Sequence, residues 1–170
     1  MRSGIFAMKT NKHLPSEVLK SIYFATIHSH MAYAGTIIGC SPDSQLQPIL
    51  KLQKIALRII GKLEYNGHTA PVCKKHKILY IRDILDMHAA TQAWNFWNNK
   101  LPPSIAAFYE RGNERQKLLK TTDFRFKRLQ NISPISFSIR IWNLLSLEIK
   151  EAKTAKSMKK AFCNWKLATY

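Results

Sequence analysis

A carboxylate pair one helical turn apart, Asp83 and Asp86, is as near as this chain comes to a metal-dependent active site. Template-directed polymerases hold two divalent ions between acidic residues, usually including two adjacent aspartates in a hairpin. No Asp-Asp dipeptide occurs in the 170 residues, so Asp83 and Asp86 read as a solvated face or as partners of a helix N-terminal dipole. His68, Cys73 and His76 are spaced like three zinc ligands, but a structural site takes four and no fourth His or Cys lies nearby. They read as polar loop residues. Ser29 stands between His28 and His30, yet neighbours on a helix diverge by about 100° and cannot meet as a nucleophile and its base. Buried, hydrogen-bonded histidines are the better reading. The expectation is a chain with no catalytic residue, no metal and no cofactor, and so not itself an enzyme.

Charge points to binding instead. Lys and Arg number 27 against 10 Asp and Glu, a formal net charge of +17. That field implies a polyanionic partner, whether nucleic acid, an anionic membrane surface or an acidic protein. A hydrophobic content of 46% argues against disorder, and 170 residues is one domain's length. Cys40, Cys73 and Cys163 are far apart and in no CxxC spacing, which argues for a reducing, intracellular setting and against a disulfide scaffold. The N-terminus shows no targeting segment. No Lys, Arg, Asp or Glu occurs between Lys20 and Asp43, but His28, His30, Thr26 and Thr36, with breaks at Gly35 and Gly39, favour a buried helix over a membrane span.

The elements that must position these charges are mostly helical. A helix entered at Leu14-Pro15 runs to about Ala34, with Leu14, Val18, Ile22, Thr26, Ser29 and Tyr33 on one stripe and Leu19, Tyr23, Ile27 and His30 on another. Apolar groups on two sides predict a central, well-covered element. A second helix is predicted from near Gln47, because Pro48 belongs in a first turn, to a stop at Gly61. Its apolar face is Ile49, Leu52, Ala56, Ile59 and Ile60. Lys51, Lys54, Arg58 and Lys62 recur at intervals of three and four, forming one exposed ridge that no acid interrupts. Residues 62–77 read as a loop that adds Lys74, Lys75 and Lys77.

A third helix is predicted from about Ile81 to Asn98, with Ile84, Met87, Thr91 and Trp94 on one face. Residues 104–132 are basic and poorly periodic, with Arg111, Arg115, Lys117, Lys120, Arg125, Lys127 and Arg128 set against Glu110, Glu114 and Asp123. Phe137 to Ile141 alternates like a short strand, Ser146 to Lys150 suits one helical turn, and Ala155 to Leu167 suits an amphipathic helix docked by Met158, Phe162, Trp165 and Cys163. Trp94, Trp97, Trp142 and Trp165 stand at spacings that favour core packing over base stacking. The expected fold is mainly α, with at most one short strand pair. The candidate nucleic-acid-binding residues are Lys51, Lys54, Arg58, Lys62, Lys74, Lys75 and Lys77, which can neutralise phosphates without reading sequence.

Four blocks in order add a resemblance: LPSEVLKSIYFATIHSHMAYA (Leu14 to Ala34), LQKIALRII (Leu52 to Ile60), HTAP (His68 to Pro71) and WNLLSLEIK (Trp142 to Lys150). Their order and spacing resemble the region that follows the polymerase core in reverse transcriptases of jockey-type non-LTR retrotransposons, over most of the chain. Ile38, Ala34 and Ser146 depart from that pattern, which has Trp, Gly and Pro there, and the usual spacer before Trp142 is missing. The resemblance implies a thumb-like helical region at 1–103, a basic connection at 104–134, and a WN segment with a terminal helix at 135–170. It implies binding of RNA or of an RNA–DNA or DNA duplex through backbone phosphates, an RNA-directed DNA polymerase palm upstream in the parent protein, and a place in the nucleus or cytoplasm. The alternatives are a basic helical interaction module adapted by a host and a decayed element copy without function.

Overall fold

Prolines shape the helix entrances of this chain. Pro15, Pro42 and Pro102 stand at N-cap positions with φ of −55° to −56° and extended ψ, while Pro71, Pro103 and Pro134 occupy the first or second helical position. There the missing N–H is one that a helix start leaves unbonded anyway. The computed structural model describes residues 2–10, 13–33, 35–122 and 133–170. Asp123, Arg125, Lys127 and Arg128 of the basic connection lie outside the described residues.

The fold is mainly α, with one two-stranded antiparallel hairpin. Its elements are α1 (Arg2–Thr10), α2 (Ser16–Tyr23), a π-helical turn (Phe24–His28), α3 (Ser29–Ala32), α4 (Gly35–Ile38), α5 (Asp43–Ile60), α6 (Ala70–His76), α7 (Ile81–Trp97) and α8 (Pro103–Ala106). The hairpin β1 (Tyr109–Arg111) and β2 (Leu119–Thr121) follows, then α9 (Pro134–Leu144), α10 (Leu147–Lys150) and α11 (Ala155–Ala168). Two compact units divide them: Met1–Tyr33 with Pro42–Ile84 and Trp165–Tyr170, and Ala34–Ser41 with Leu85–Asn164. No helix among the described residues is long and apolar enough to cross a membrane.

In the first unit α1, α2 and α5 pack on one another, and α6 packs on α5. The predicted helix over Leu14–Ala34 is present as α2, the π turn and α3, but it buries one side and not two. Leu19, Tyr23, Ile27 and Met31 are buried, whereas Val18 and Tyr33 of the other stripe are 43% and 79% exposed. His30 is also exposed, and His28 is half-buried with its ring 4.9 Å from that of Phe24. A strict interval of four drifts around an α-helix, and the wider π turn takes up that drift.

Helix α5 starts at Asp43, four residues before the expected start near Gln47, so Pro48 lies inside it. Asp43 suits the N-terminal dipole and forms an ion pair with Arg82, which anchors the additional turn despite the backbone bond that Pro48 cannot donate. The buried face also differs from the predicted one: Leu46, Gln53, Ala56, Leu57 and Ile60 are buried, while Ile49, Leu52 and Ile59 are only partly covered. Aliphatic residues cover more than half of this helix's circumference, outside the basic ridge, so periodicity alone does not fix which part of that arc is buried. Gly61 is its C-cap, and the position takes glycine because an added Cβ would come within 2.4 Å of Val72 Cγ2 on α6.

Gln53 is the polar centre of this unit. Its Nε2 donates to the Tyr23 hydroxyl at 2.9 Å and to the Leu79 carbonyl at 2.8 Å, and its Oε1 accepts from the Ile81 amide at 2.8 Å. One buried amide thus joins α2, α5 and the start of α7. Thr69 and Tyr80 share a hydroxyl hydrogen bond of 2.7 Å, and Tyr80 N–H donates to the Tyr170 hydroxyl, which in turn donates to Asp83 Oδ2 at 2.6 Å. Asp83 is therefore not a solvated residue. Lys166 also pairs with it at 2.8 Å, and Asp86 is buried.

In the second unit, residues 103–122 contain α8 and the hairpin, in register Tyr109↔Thr121, Glu110↔Lys120 and Arg111↔Leu119. Residues 137–141, expected as a strand, are helical: Ser133 accepts from the Ser136 amide as N-cap and Pro134 opens α9. The WNLLSLEIK block braces the hairpin. Trp142 Nε1 donates to the Lys117 carbonyl at 2.6 Å, and Lys150 Nζ donates to the Gln116 carbonyl at 3.2 Å. Asn143 accepts from the Leu119 amide at 2.9 Å and donates to the Leu119 carbonyl at 3.0 Å. Trp94 and Trp142 are fully buried, as core packing requires, and Trp97 stacks on Trp142 at 6.4 Å. Trp165 is 41% exposed, and Met158 and Phe162 are the buried residues of α11 within this unit.

Candidate nucleic-acid interface

The seven candidate cations fall on two helices and the turns that end them. Lys51 is exposed on α5, and Lys54 and Arg58 are half-buried. Lys62 stands just beyond α5 with φ of 50°, a left-handed residue after Gly61. Its amide reaches Ile59 O at 3.2 Å, and Leu63 N–H reaches Arg58 O at 2.9 Å, the hydrogen-bond pattern of a Schellman helix end. The residues 62–77 are not simply a loop, because they include α6. Lys74 and Lys75 are exposed in its last turn, and Lys77, with φ of 54°, ends it in the same left-handed way. Lysines at these two positions gave no turn signal, since glycine is the residue that usually marks them.

Of the three zinc-like residues, His68 is exposed while Cys73 and His76 are buried on α6. Burial pushes the Cys73 thiol up to about 11, with a hydrogen bond from Tyr80 opposing it. Burial also holds the His76 imidazole below its ordinary range, against Glu17, whose carboxylate lies 3.6 Å from Nδ1; the nearby Lys20 and Lys75 push it the same way as burial.

No carboxylate among the described residues forms an ion pair with Lys51, Lys54, Arg58, Lys62, Lys74, Lys75 or Lys77. Arg58 is oriented by its Nε, which donates to the Gly67 carbonyl at 3.1 Å. Two surface hollows meet at Lys62. The larger, about 540 Å³, is lined by the aliphatic Ile55, Ile59 and Leu63, with Tyr65, Lys9, His13, Arg58, Lys62 and the single acid Glu64 also at its surface. The smaller, about 270 Å³, brings Lys62 and Lys75 together over Ile60, Pro71 and Val72. The structure thus gathers Arg58, Lys62 and Lys75 around the end of α5, with Lys51 and Lys54 farther back along the helix.

Lys9, His13 and Tyr65 belong to this surface and were not among the expected residues. Their distance in sequence hid Lys9 and His13, and Tyr65 had only its place in a predicted loop. Four residues of the sequence blocks lie beneath the surface: Tyr23, Gln53, Thr69 and Trp142 are all buried and hydrogen-bonded. They hold the frame, and the cations stand on it. Comparison with protein-family models, with curated proteins and with solved structures finds no match to this chain.

Proposed function

We propose that this chain is a non-catalytic nucleic-acid-binding module, similar to the thumb and C-terminal region of a non-LTR retrotransposon reverse transcriptase, that holds RNA or a duplex by its phosphates. The observation that carries the reading is the set of seven cations on α5, α6 and their ends that have no carboxylate partner among the described residues. A cation already paired must give up that partner before it takes a phosphate; these need not. The four sequence blocks support the parentage, and the net charge of +17 supports the class of ligand.

Binding is expected to depend little on sequence and to fall at least tenfold between low and physiological salt, because each neutralised phosphate releases counterions. Replacing Lys51, Lys54, Arg58 and Lys62 together by Gln should flatten the log–log salt slope on duplex DNA by roughly 0.9 for each phosphate no longer neutralised. The fold should persist, since exposed changes usually cost under about 0.5 kcal/mol each and Arg58→Gln adds the loss of one hydrogen bond, to the Gly67 carbonyl, worth about 1 kcal/mol. Fluorescence anisotropy across a salt series checks both statements. Salt-independent binding, or an unchanged slope in a folded variant, would refute the reading.

A further inference from the structure

The larger hollow has a composition that a phosphate backbone alone does not use. Its rim is cationic, but Ile55, Ile59 and Leu63 line it as an aliphatic floor, and Tyr65 beside them is 87% exposed. A paired duplex keeps its bases stacked inside and presents phosphate and sugar at its surface. An unpaired nucleotide presents a phosphate and an aromatic face together. We propose that this hollow seats one unpaired nucleobase against Tyr65 and the aliphatic floor, with the adjoining phosphates on Arg58, Lys62 and Lys9, so that the chain favours single strands over duplex. The inference rests on the nucleic-acid reading above and narrows its ligand.

Three features support that occupant. The volume, about 540 Å³, is that of a site for a small organic group. Arg58 is held by its Nε on Gly67, and its two terminal nitrogens have no hydrogen-bond partner among the described residues, so its fork is set for a phosphate. The hollow is also continuous with the cationic ridge through Arg58 and Lys62. The charge of the rim suits a polyanion, and the exposed ring suits stacking, which is tolerant of base identity.

The test is anisotropy with a labelled 12-nucleotide oligo-dT, a matching oligo-U and a 12-base-pair duplex, on the full chain. Wild type should bind the single strands at least about fivefold more tightly than the duplex. Tyr65→Ala should weaken single-strand binding by about tenfold, from the usual effect of removing one stacking aromatic, and leave duplex binding within about twofold. Tyr65→Phe should retain single-strand affinity, and 5-bromouridine placed in the oligo-U should photo-crosslink to Tyr65. Equal affinity for strand and duplex, a silent Tyr65→Ala, or a loss shared equally by both ligands would overturn the inference while leaving backbone binding in place. Absence of binding to any of the three ligands, or capture of an acidic amphipathic peptide in their stead, would overturn both readings.

Discussion

Gln53→Ala should destabilise the first unit by about 3 kcal/mol or more, because three groups lose their partner in one substitution. The Ile81 amide, the Leu79 carbonyl and the Tyr23 hydroxyl all depend on this side chain, at 2.8–2.9 Å. A buried polar group left unsatisfied costs about 1–3 kcal/mol, and the loss is compounded where several fail together. Gln53→Glu tests the same point with almost no change of shape. Its carboxylate could still accept from the Ile81 amide, but it has no N–H for Leu79 and would bring a charge into a fully buried position. Both variants should melt at markedly lower urea concentration than wild type. A loss under about 1 kcal/mol for Gln53→Ala would mean that water or a rearranged backbone replaces the network.

The second large effect is expected at Trp142. Truncating a buried Trp to Ala typically costs about 3–5 kcal/mol, from the apolar packing it removes and the cavity it leaves behind. Here the indole also stacks with Trp97 and donates to the Lys117 carbonyl in the loop that joins the two strands of the hairpin. Trp142→Ala should therefore lower stability and also speed hydrogen exchange at the Leu119 amide, which the next residue, Asn143, holds through its side-chain oxygen. Trp142→Phe should fall between wild type and Ala, since it keeps apolar volume and loses the N–H. Unchanged exchange at Leu119 in the Ala variant would show that the hairpin is held without this brace.

Reading the sequence for periodicity found the helices that carry long apolar patterns: α2 with α3, α5, α7 and α11 lie close to where hydrophobic spacing puts them. It failed where the pattern was short or ambiguous. Helix α6 is seven residues long with three basic side chains in its last turn, so it resembles a polar loop. Phe137 to Ile141 alternates with period two, but Ser133 and Pro134 carry the stronger signal of a capped helix start, and the backbone follows them. Gln53 was legible only as part of a motif, because a polar residue on a basic helix normally faces water. The cationic ridge could be read from the chain, whereas the apolar floor beside it required Leu63 and Tyr65 to fold back beside α5, which no local rule predicts.

The π-helical turn at Phe24–His28 has a consequence for the lengths of chain this helix will accept. A turn of this kind holds one residue more than an α-turn while leaving the flanking segments nearly in register. Leu19, Tyr23, Ile27 and Met31 are buried at successive intervals of four. Deleting the exposed Ala25 would change those intervals to four, three and four, the spacing that a regular α-helix keeps on one face. The shortened helix is expected to fold with nearly wild-type stability, in contrast to deletion of an exposed residue such as Ser44 or Gln47 in α5, where no surplus residue exists to absorb the shift. Length variation among chains of this kind would then be tolerated at Phe24–His28 inside a helix, where loops are ordinarily the only places that permit it.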